Sequence, residues 1–277
     1  MKHEELSWHA SDGQQFHGLE WRPEGETRAV VCLVHGLGEH AGRYAHVAQA
    51  LCDAGYALLA FDLRGHGQTP GRRGHAPSWE TALDDIARLL DEGAQRFPGL
   101  PRFLYGHSLG GTLVLAYALR RKPQVAGVIA TGPVLKLPQP VPPAKLALGR
   151  FMYRVLPSFQ LANGLDRAGL SRDPEVVRRY NEDPLVHDRV SARLAADMLD
   201  SGEWDIAHAA EFALPLLLMH GTADRITWAE GSRQFAAKLK GDCTFRLWQG
   251  LYHEIHNEPE QKEVLGFMIH WLQAHTL

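Results

Sequence analysis

The feature that most constrains the fold is a repeated alternation of short apolar segments with longer segments of helical periodicity. Residues 29–34 read Ala-Val-Val-Cys-Leu-Val, and residues 57–61 read Ala-Leu-Leu-Ala-Phe. A strand without polar residues is typical of a parallel sheet that is covered on both faces. Further strands are predicted at 102–105, 125–130, 214–219 and 244–248. This alternation predicts an α/β fold, a mostly parallel central sheet with helices on both of its faces.

The flanking segments agree with this architecture. Residues 6–21 read as two short strands around the turn Ser11-Asp12-Gly13. A helix is predicted from Ser78 to Gln95 because apolar residues recur there at helical spacing and Ser78 can cap its start. Two more helices are predicted, one that ends near Arg121 and one that starts near Pro259.

The alternation stops between residues 133 and 213, a segment that we name the insertion. It opens with four prolines within 138–143, and no strand is predicted in it. Helices are predicted at Asp173-Pro174 and after Asp183-Pro184, since each pair places a capping residue before proline. The sequence therefore predicts a core formed by 1–132 and 214–277, and a helical cap, or lid, at 133–213 that covers the sheet's C-terminal edge.

One helix of the insertion has an apolar stripe with a spacing of three and four residues. The stripe consists of Leu148, Phe151, Met152, Val155 and Leu156. The stripe could simply pack the cap onto the core, but we favour a mixed role in which some of its residues line a substrate tunnel or touch a lipid surface. Arg150 and Arg154 fit contact with anionic lipid, or a solvated face.

Composition excludes several classes of function. The net charge of −3 over 277 residues lacks the basic footprint of a nucleic-acid-binding protein. No metal-ligand motif is present, so we expect neither a metal nor a cofactor. The three cysteines form no disulfide pattern, and the start of the chain has no apolar signal segment, so we expect a cytoplasmic protein.

The segment Gly106-His-Ser108-Leu-Gly110 matches the pattern of a nucleophile elbow. It lies between a predicted strand and a predicted helix, where the tight turn of an elbow belongs. Glycine on both sides of Ser108 relieves the steric crowding of such a turn. The pattern predicts Ser108 as a nucleophile.

The partners of such a serine follow it in the order acid, then histidine. Asp224 follows the strand at 214–219, and His253 follows the strand at 244–248. We therefore predict His253 as the general base and Asp224 as the acid that orients it. The competing histidines are His220, interpreted as a packing residue at a strand end, and His256.

An oxyanion intermediate needs two backbone N–H donors. One is predicted at Leu109, directly after the nucleophile, and the other at Leu37, in the loop that follows His35-Gly36.

Seven segments together resemble the monoacylglycerol lipases, above all the bacterial members, whose relatives include lysophospholipases and broad carboxylesterases. They are the segments 35–44, 62–67, 106–111, 171–175 with 181–185, 220–224 and 253–256. The resemblance implies an α/β-hydrolase fold and a small-molecule lipid ester as substrate, with one acyl chain and a small polar head.

The resemblance also implies substrate-binding residues. Glu39, Arg43 and His256 match positions that bind the polar head, although Glu39 and Arg43 equally fit an ion pair that shapes their loop. An acyl tunnel in the cap implies roles for residues of the stripe, namely Phe151, Met152 and Val155.

Two other classes of function stay open at this point. Proline-type aminopeptidases share the fold and a helical cap, and they need acidic groups to hold an amine. The cap offers such groups at Glu175, Glu182, Asp183, Asp197, Asp200 and Glu203. A binding protein on an inactive hydrolase scaffold is the other class, but the predicted triad has all of its members.

Overall fold

The computed structural model describes residues 1–139 and 141–276. Pro140 of the proline run and Leu277 of the predicted core lie outside the described residues. The strands are β1 (Lys2–His9), β2 (Gln15–Arg22), β3 (Ala29–Val34), β4 (Tyr56–Phe61), β5 (Arg102–His107), β6 (Gly127–Thr131), β7 (Gln160–Ala162), β8 (Arg189–Ser191), β9 (Leu216–Gly221) and β10 (Cys243–Trp248). The α-helices are α1 (Ala45–Asp53), α2 (Trp79–Arg96), α3 (Leu109–Arg121), α4 (Pro143–Val155), α5 (Pro174–Glu182), α6 (Ala192–His208), α7 (Ala229–Lys238) and α8 (Gln261–His275).

The central sheet has eight strands in the order β1-β2-β4-β3-β5-β6-β9-β10. The first two strands are antiparallel to their neighbours, and the other six run parallel to one another. The predicted fold class, with a mostly parallel sheet, is confirmed.

Strand β3 explains why the sheet needs apolar residues on both faces. Val30, Cys32 and Val34 belong to one core cluster, which includes residues of α2 and α3. The alternate residues Ala29, Val31 and Leu33 belong to a second cluster with residues of α1 and α8. Successive side chains of a strand point to opposite faces, so helices cover the sheet on both sides.

The parallel strands bring several loops to one edge of the sheet. β3, β5, β9 and β10 point in the same direction, and their carboxyl ends lie at that edge. The loops after these strands carry His35–His40, the turn at Ser108, Asp224 and His253. Residues far apart in the chain are therefore adjacent in space at the edge where ligands bind in α/β sheets.

The insertion differs from its prediction in two places. It contains a short antiparallel pair, β7 and β8, where no strand was predicted. The helix predicted after Asp183-Pro184 is also wrong, because Asp183 Oδ1 accepts a hydrogen bond from the N–H of Leu185 and closes a turn. The next helix, α6, begins only at Ala192, where the Ser191 side chain caps it.

In the part of the chain that the structure describes, no helix is both long enough and apolar enough to cross a membrane.

Asp205 on α6 is a buried acid that this fold tolerates at a cost. Its side chain is fully buried, and Oδ1 has no hydrogen-bond partner among the described residues. Burial raises the pKa of Asp205 well above its usual value, although Arg120 opposes the shift. The native state therefore holds a proton that the unfolded state releases above about pH 4.

We predict that Asp205→Asn stabilises the protein at pH 8 by about 1–3 kcal/mol, since the charge no longer has to be buried or neutralised. The gain should shrink as the pH falls toward 4, because the unfolded chain then also begins to take up this proton. Chemical denaturation at both pH values measures this, with the exposed Asp200→Asn on the same helix as the control. An equal effect at both pH values would contradict the assignment of a neutral buried carboxyl group.

Candidate active site

Ser108 occupies a sharp turn between β5 and α3. Its φ of 54° and ψ of −117° are unusual for a residue with a side chain. A Cβ at Gly106 would lie 2.2 Å from the carbonyl oxygen of Gly110, and a Cβ at Gly110 would lie 2.0 Å from that of Val34. Only glycine fits these two positions, as the elbow pattern predicts, and Ser108 faces the loops at the sheet edge.

His253 and Asp224 are in direct contact. The Nδ1–H of His253 donates to Oδ2 of Asp224 at 2.7 Å. The other carboxylate oxygen of Asp224 accepts from the backbone N–H groups of Ile226 and Thr227, at 2.8 and 2.9 Å. The carboxylate is therefore held in place, and Nε2 is the nitrogen of His253 that remains available for proton transfer.

The electrostatics of this pair suit a general base. Burial lowers the pKa of His253, but the Asp224 carboxylate more than offsets this, so the pKa is raised above its usual value. Burial would raise the pKa of Asp224, but His253 and His220 hold it well below its usual value. Asp224 is consequently charged at neutral pH and favours the protonated form of its imidazole partner.

A cavity of about 380 Å³ exposes Ser108 and His253 to the same space. The loop after β3 contributes Gly36, Leu37 and Glu39 to its wall. The insertion supplies most of the opposite wall, through Val134, Leu137, Pro138, Gln139, Asn163, Gly164, Leu165, Asp166, Leu170, Tyr180 and Met198. The insertion therefore shapes the space above the predicted nucleophile.

The two predicted oxyanion donors lie on backbone that is well anchored. Beside Leu37, the N–H of Gly36 donates to Glu39 Oε1 at 2.7 Å, and the N–H of His187 donates to the carbonyl of Gly38 at 2.9 Å. Leu109 is the first residue of α3, where N–H groups lack helical partners and the helix dipole favours an anion. Leu37 lines the cavity directly.

Glu39 and Arg43 form a buried ion network. Arg43 donates to Glu39 Oε2 at 2.6 Å and, through two nitrogens, to both oxygens of Glu254 at 2.7 Å. Glu39 Oε1 also accepts from the hydroxyl of Tyr44 at 2.9 Å. Burial opposes ionisation of Glu254, but Arg43 holds the pKa of Glu254 well below its usual value. Glu39 lines the cavity with both of its oxygens engaged.

His256 lies beneath this network, and among the described residues it is not part of the cavity wall. Its ring stacks on Tyr44 at a centroid distance of 5.0 Å and meets the ring of His107 at 4.8 Å. Burial lowers the pKa of His256 to about 3, so the ring is neutral at physiological pH.

The stripe residues of α4 do not reach the cavity. Phe151 and Val155 are 59% and 55% exposed, and Met152 is partly exposed. Within residues 1–139 and 141–276, no residue of α4 lines the cavity wall. The structure therefore separates these three residues from the predicted triad.

Sequence reasoning missed the contacts of three residues around the predicted triad, since it did not single out Thr227 or Glu254 and it interpreted His220 as a packing residue. Thr227 Oγ1 donates to Asp224 Oδ2 at 2.8 Å, and His220 Nε2 lies 3.1 Å from the same oxygen. Glu254 anchors Arg43. The only signals in the sequence were positions. Thr227 comes three residues after Asp224, His220 lies at the end of β9, and Glu254 follows His253, but none of these positions is specific for such a contact.

The parallel sheet, the nucleophile turn and the His253–Asp224 pair define an α/β-hydrolase with the arrangement of a serine hydrolase. Residues 25–260 match a family model described as "Serine aminopeptidase, S33". The chain belongs to this family of hydrolases.

Within this family, the chain is similar to several individual proteins. The monoacylglycerol lipase of Mycolicibacterium smegmatis is 38% identical over 92% of this chain and 91% of its own length. The crystal structure of Paleococcus ferrophilus monoacylglycerol lipase superposes with a TM-score of 0.87 at 41% identity, covering 94% of this chain and 99% of that chain. An uncharacterised abhydrolase domain-containing protein of Dictyostelium discoideum is 39% identical over 95% of this chain, which spans 28% of that protein.

A substitution at Arg43 distinguishes a structural role of this residue from a role in binding the polar head of the substrate. Arg43→Met leaves Glu39 and Glu254 buried without their cation, which should cost about 3–5 kcal/mol of stability. Arg43 depresses the Glu254 pKa, so its stabilising effect is present above pH 4.5 and is lost as the pH falls further. The deficit of the variant should therefore be largest at neutral pH and shrink in acid.

Chemical denaturation at pH 7 and pH 4 measures this effect, with the exposed Arg179→Met as the matched control. A variant of normal stability with a raised KM would instead assign Arg43 to binding the polar head of the substrate.

Proposed function

We propose that this protein is a carboxylic-ester hydrolase that cleaves monoacylglycerols or similar single-chain acyl esters through an acyl-enzyme intermediate. In this proposal Ser108 is the nucleophile, His253 the general base and Asp224 the residue that orients His253. The observation that carries the proposal is the cavity in which Ser108 and His253 are exposed together, with His253 bonded to Asp224 at 2.7 Å.

The mechanism follows from this geometry. His253 Nε2 takes the proton of the Ser108 hydroxyl as its oxygen attacks the ester carbonyl, and then delivers that proton to the leaving alcohol. A water molecule repeats the sequence on the acyl-enzyme and releases the fatty acid. Asp224 keeps the proton of His253 on Nδ1 and stabilises the imidazolium that forms.

The N–H groups of Leu37 and Leu109 are the proposed oxyanion donors. Glu39 contributes indirectly, since its carboxylate anchors the backbone next to Leu37. Loss of one such donor typically costs a factor of about 10²–10³ in kcat. Glu39, Arg43 and His256 were implied as head-group ligands. The contact between Glu39 and Arg43 favours the alternative for these two residues, in which their ion pair shapes the loop. His256 stacks on Tyr44 away from the cavity wall, which does not favour a role in head-group binding.

The substrate class rests on the named relatives and on the charge balance of the cavity. Its acidic residues are Glu39, Asp166 and Glu254. Arg43 pairs with the two glutamates, and Arg225 lies 3.2 Å from Asp166. An aminopeptidase needs a carboxylate that is free to hold the substrate amine. All three carboxylates are paired, which favours an uncharged ester over a peptide amine.

We expect the purified enzyme to release oleate from 1-monooleoylglycerol and to cleave a short p-nitrophenyl ester. Ser108→Ala should lower kcat by about a millionfold, because the nucleophile and its base act as a unit. Fatty-acid titration and labelling with a fluorophosphonate probe measure both properties. A prolyl-amide reporter is the control for the aminopeptidase alternative.

Cleavage of the p-nitrophenyl ester alone would make the protein a general esterase. Cleavage of the prolyl amide at a rate that rivals the esters would overturn the ester proposal.

We further propose that residues 133–213 act as a cap over a core formed by 1–132 and 214–277, and that α4 touches a lipid surface. The exposed Leu148, Phe151 and Val155 recur at i, i+3 and i+7 on α4, and Lys145, Arg150 and Arg154 lie on the same helix. An amphipathic helix with basic residues suits the interface of an anionic membrane. Substrate monoacylglycerols would then enter from the lipid.

Sedimentation with phosphatidylcholine vesicles, with and without an anionic lipid, tests this contact. The double substitution Phe151→Ser and Val155→Ser should reduce binding by tenfold or more, given about 1.5–3 kcal/mol for each apolar side chain that is fully buried. Ser108→Ala is the control, since it should bind vesicles normally. Equal binding by all three proteins would exclude α4 as the contact site.

We also propose a cytoplasmic location. Cys32, Cys52 and Cys243 are all free thiols, and such a set is typical of a reducing compartment.

A further inference from the structure

His220 is a buried histidine that the mechanism described above does not use. It lies at the end of β9 and is fully buried. Its Nε2 is 3.1 Å from Asp224 Oδ2, the same oxygen that accepts the Nδ1–H of His253 at 2.7 Å. Two imidazole rings thus converge on one carboxylate oxygen. A packing role at a strand end does not require this contact.

The far side of His220 determines which nitrogen carries its proton. Nδ1 lies 2.8 Å from the hydroxyl oxygen of Ser232, a buried residue of α7. An attractive contact with the Asp224 carboxylate requires a hydrogen on Nε2, so in the neutral ring Nδ1 accepts the Ser232 hydroxyl proton. The resulting chain runs from Ser232 to His220 to Asp224, and His253 reaches Asp224 from the other side.

We infer that His220 is a positioning residue of the triad, which holds Asp224 through Oδ2 and weakens the attraction of this carboxylate for the proton of His253. The inference rests on the proposed roles of Asp224 and His253. The physical reason is competition, because each further donor on Oδ2 withdraws negative potential from the bond to His253.

Thr227 supports the same arrangement. Its hydroxyl lies 2.8 Å from Asp224 Oδ2 and 3.2 Å from His220 Nε2. The hydroxyl has a single proton, so while it donates to Asp224 its oxygen accepts the Nε2–H of His220. His220 therefore acts on Oδ2 through Thr227 as well as through its own 3.1 Å contact. Asp224 remains ionised without attracting the His253 proton so strongly that no base is available near neutral pH.

Other charged and titratable groups also face His253, and their effects must be held constant. The ring of His107 lies 4.8 Å away on β5, and Glu254 follows His253 in the chain. Glu39 on the loop after β3 and His256 also act on it. None of these residues changes in the experiment, so a difference between variants reports on His220.

Three substitutions at this position form a matched set. His220→Gln can place an amide N–H where Nε2 stood and keep a donor toward Asp224. His220→Asn has a similar polarity, but its amide reproduces only the position of Nδ1, and His220→Leu has no donor. The pH dependence of kcat/KM for a p-nitrophenyl ester measures the His253 pKa in the free enzyme, because activity falls in acid as His253 is protonated.

The acid limb is the part of the pH profile in which kcat/KM falls as His253 is protonated. We expect this limb to move to higher pH by about 0.5–1 unit in His220→Asn and His220→Leu, which is a roughly three- to tenfold increase in the proton affinity of His253. His220→Gln should keep the wild-type limb. A limb that stays in place or moves to lower pH in both donor-free variants would overturn the inference, since loss of structural support alone lowers kcat without raising the pKa.

Two further measurements keep the test decisive. Ser232→Ala removes the group that selects the Nε2–H form, and it should shift the limb in the same direction by a smaller amount, even if the His220 variants fail to fold. An unchanged limb in this variant counts against the inference. NMR titration of the His253 ring gives its pKa without any substrate, so failure of the proposed ester hydrolysis remains distinguishable from failure of the role of His220.

Discussion

The close approach of α3 to the sheet is the constraint on which the site depends. At Gly110 the helix backbone comes so near to the carbonyl of Val34 that no side chain fits between them. This contact leaves room only for the sharp turn that holds Ser108 at a positive φ, and α3 begins directly after that turn at Leu109. The positions of the predicted nucleophile and of one predicted oxyanion donor thus depend on a single packing contact.

A second constraint is the burial of charge around the loop after β3. Arg43 joins Glu39, which anchors the backbone next to Leu37, to Glu254, which neighbours His253. Buried ions persist only when they are paired and hydrogen-bonded, so the network ties the positions of two catalytic loops together. On the opposite side of His253, Asp224 is held by Ile226, Thr227 and His220. Groups on both sides of the predicted base are therefore fixed by hydrogen bonds and ion pairs.

The sequence predicted the elements with strong local signals. The strand at 29–34 agrees residue for residue, and the helix predicted from Ser78 begins at Trp79 with Ser78 as its cap. The strands of the insertion could not be predicted, because β7 and β8 have only three residues each and depend on pairing with each other, which local sequence does not reveal. Asp183-Pro184 resembles the start of a helix, yet the Asp183 side chain closes a turn instead. Helices α1 and α7 had no counterpart in the prediction, since neither has a strong start signal in its sequence.

The sequence by itself determined the buried strands of the parallel sheet, the glycine turn around Ser108 and the places of Asp224 and His253 after their strands. These follow from local periodicity, steric limits on backbone angles and the rule that parallel strands end at one edge. Only the tertiary structure decided that Arg43 joins two carboxylates, that His220 shares an oxygen with His253, and that the α4 stripe faces outward. Those contacts join residues from different strands, helices and loops, and local sequence carries no information on which of them meet.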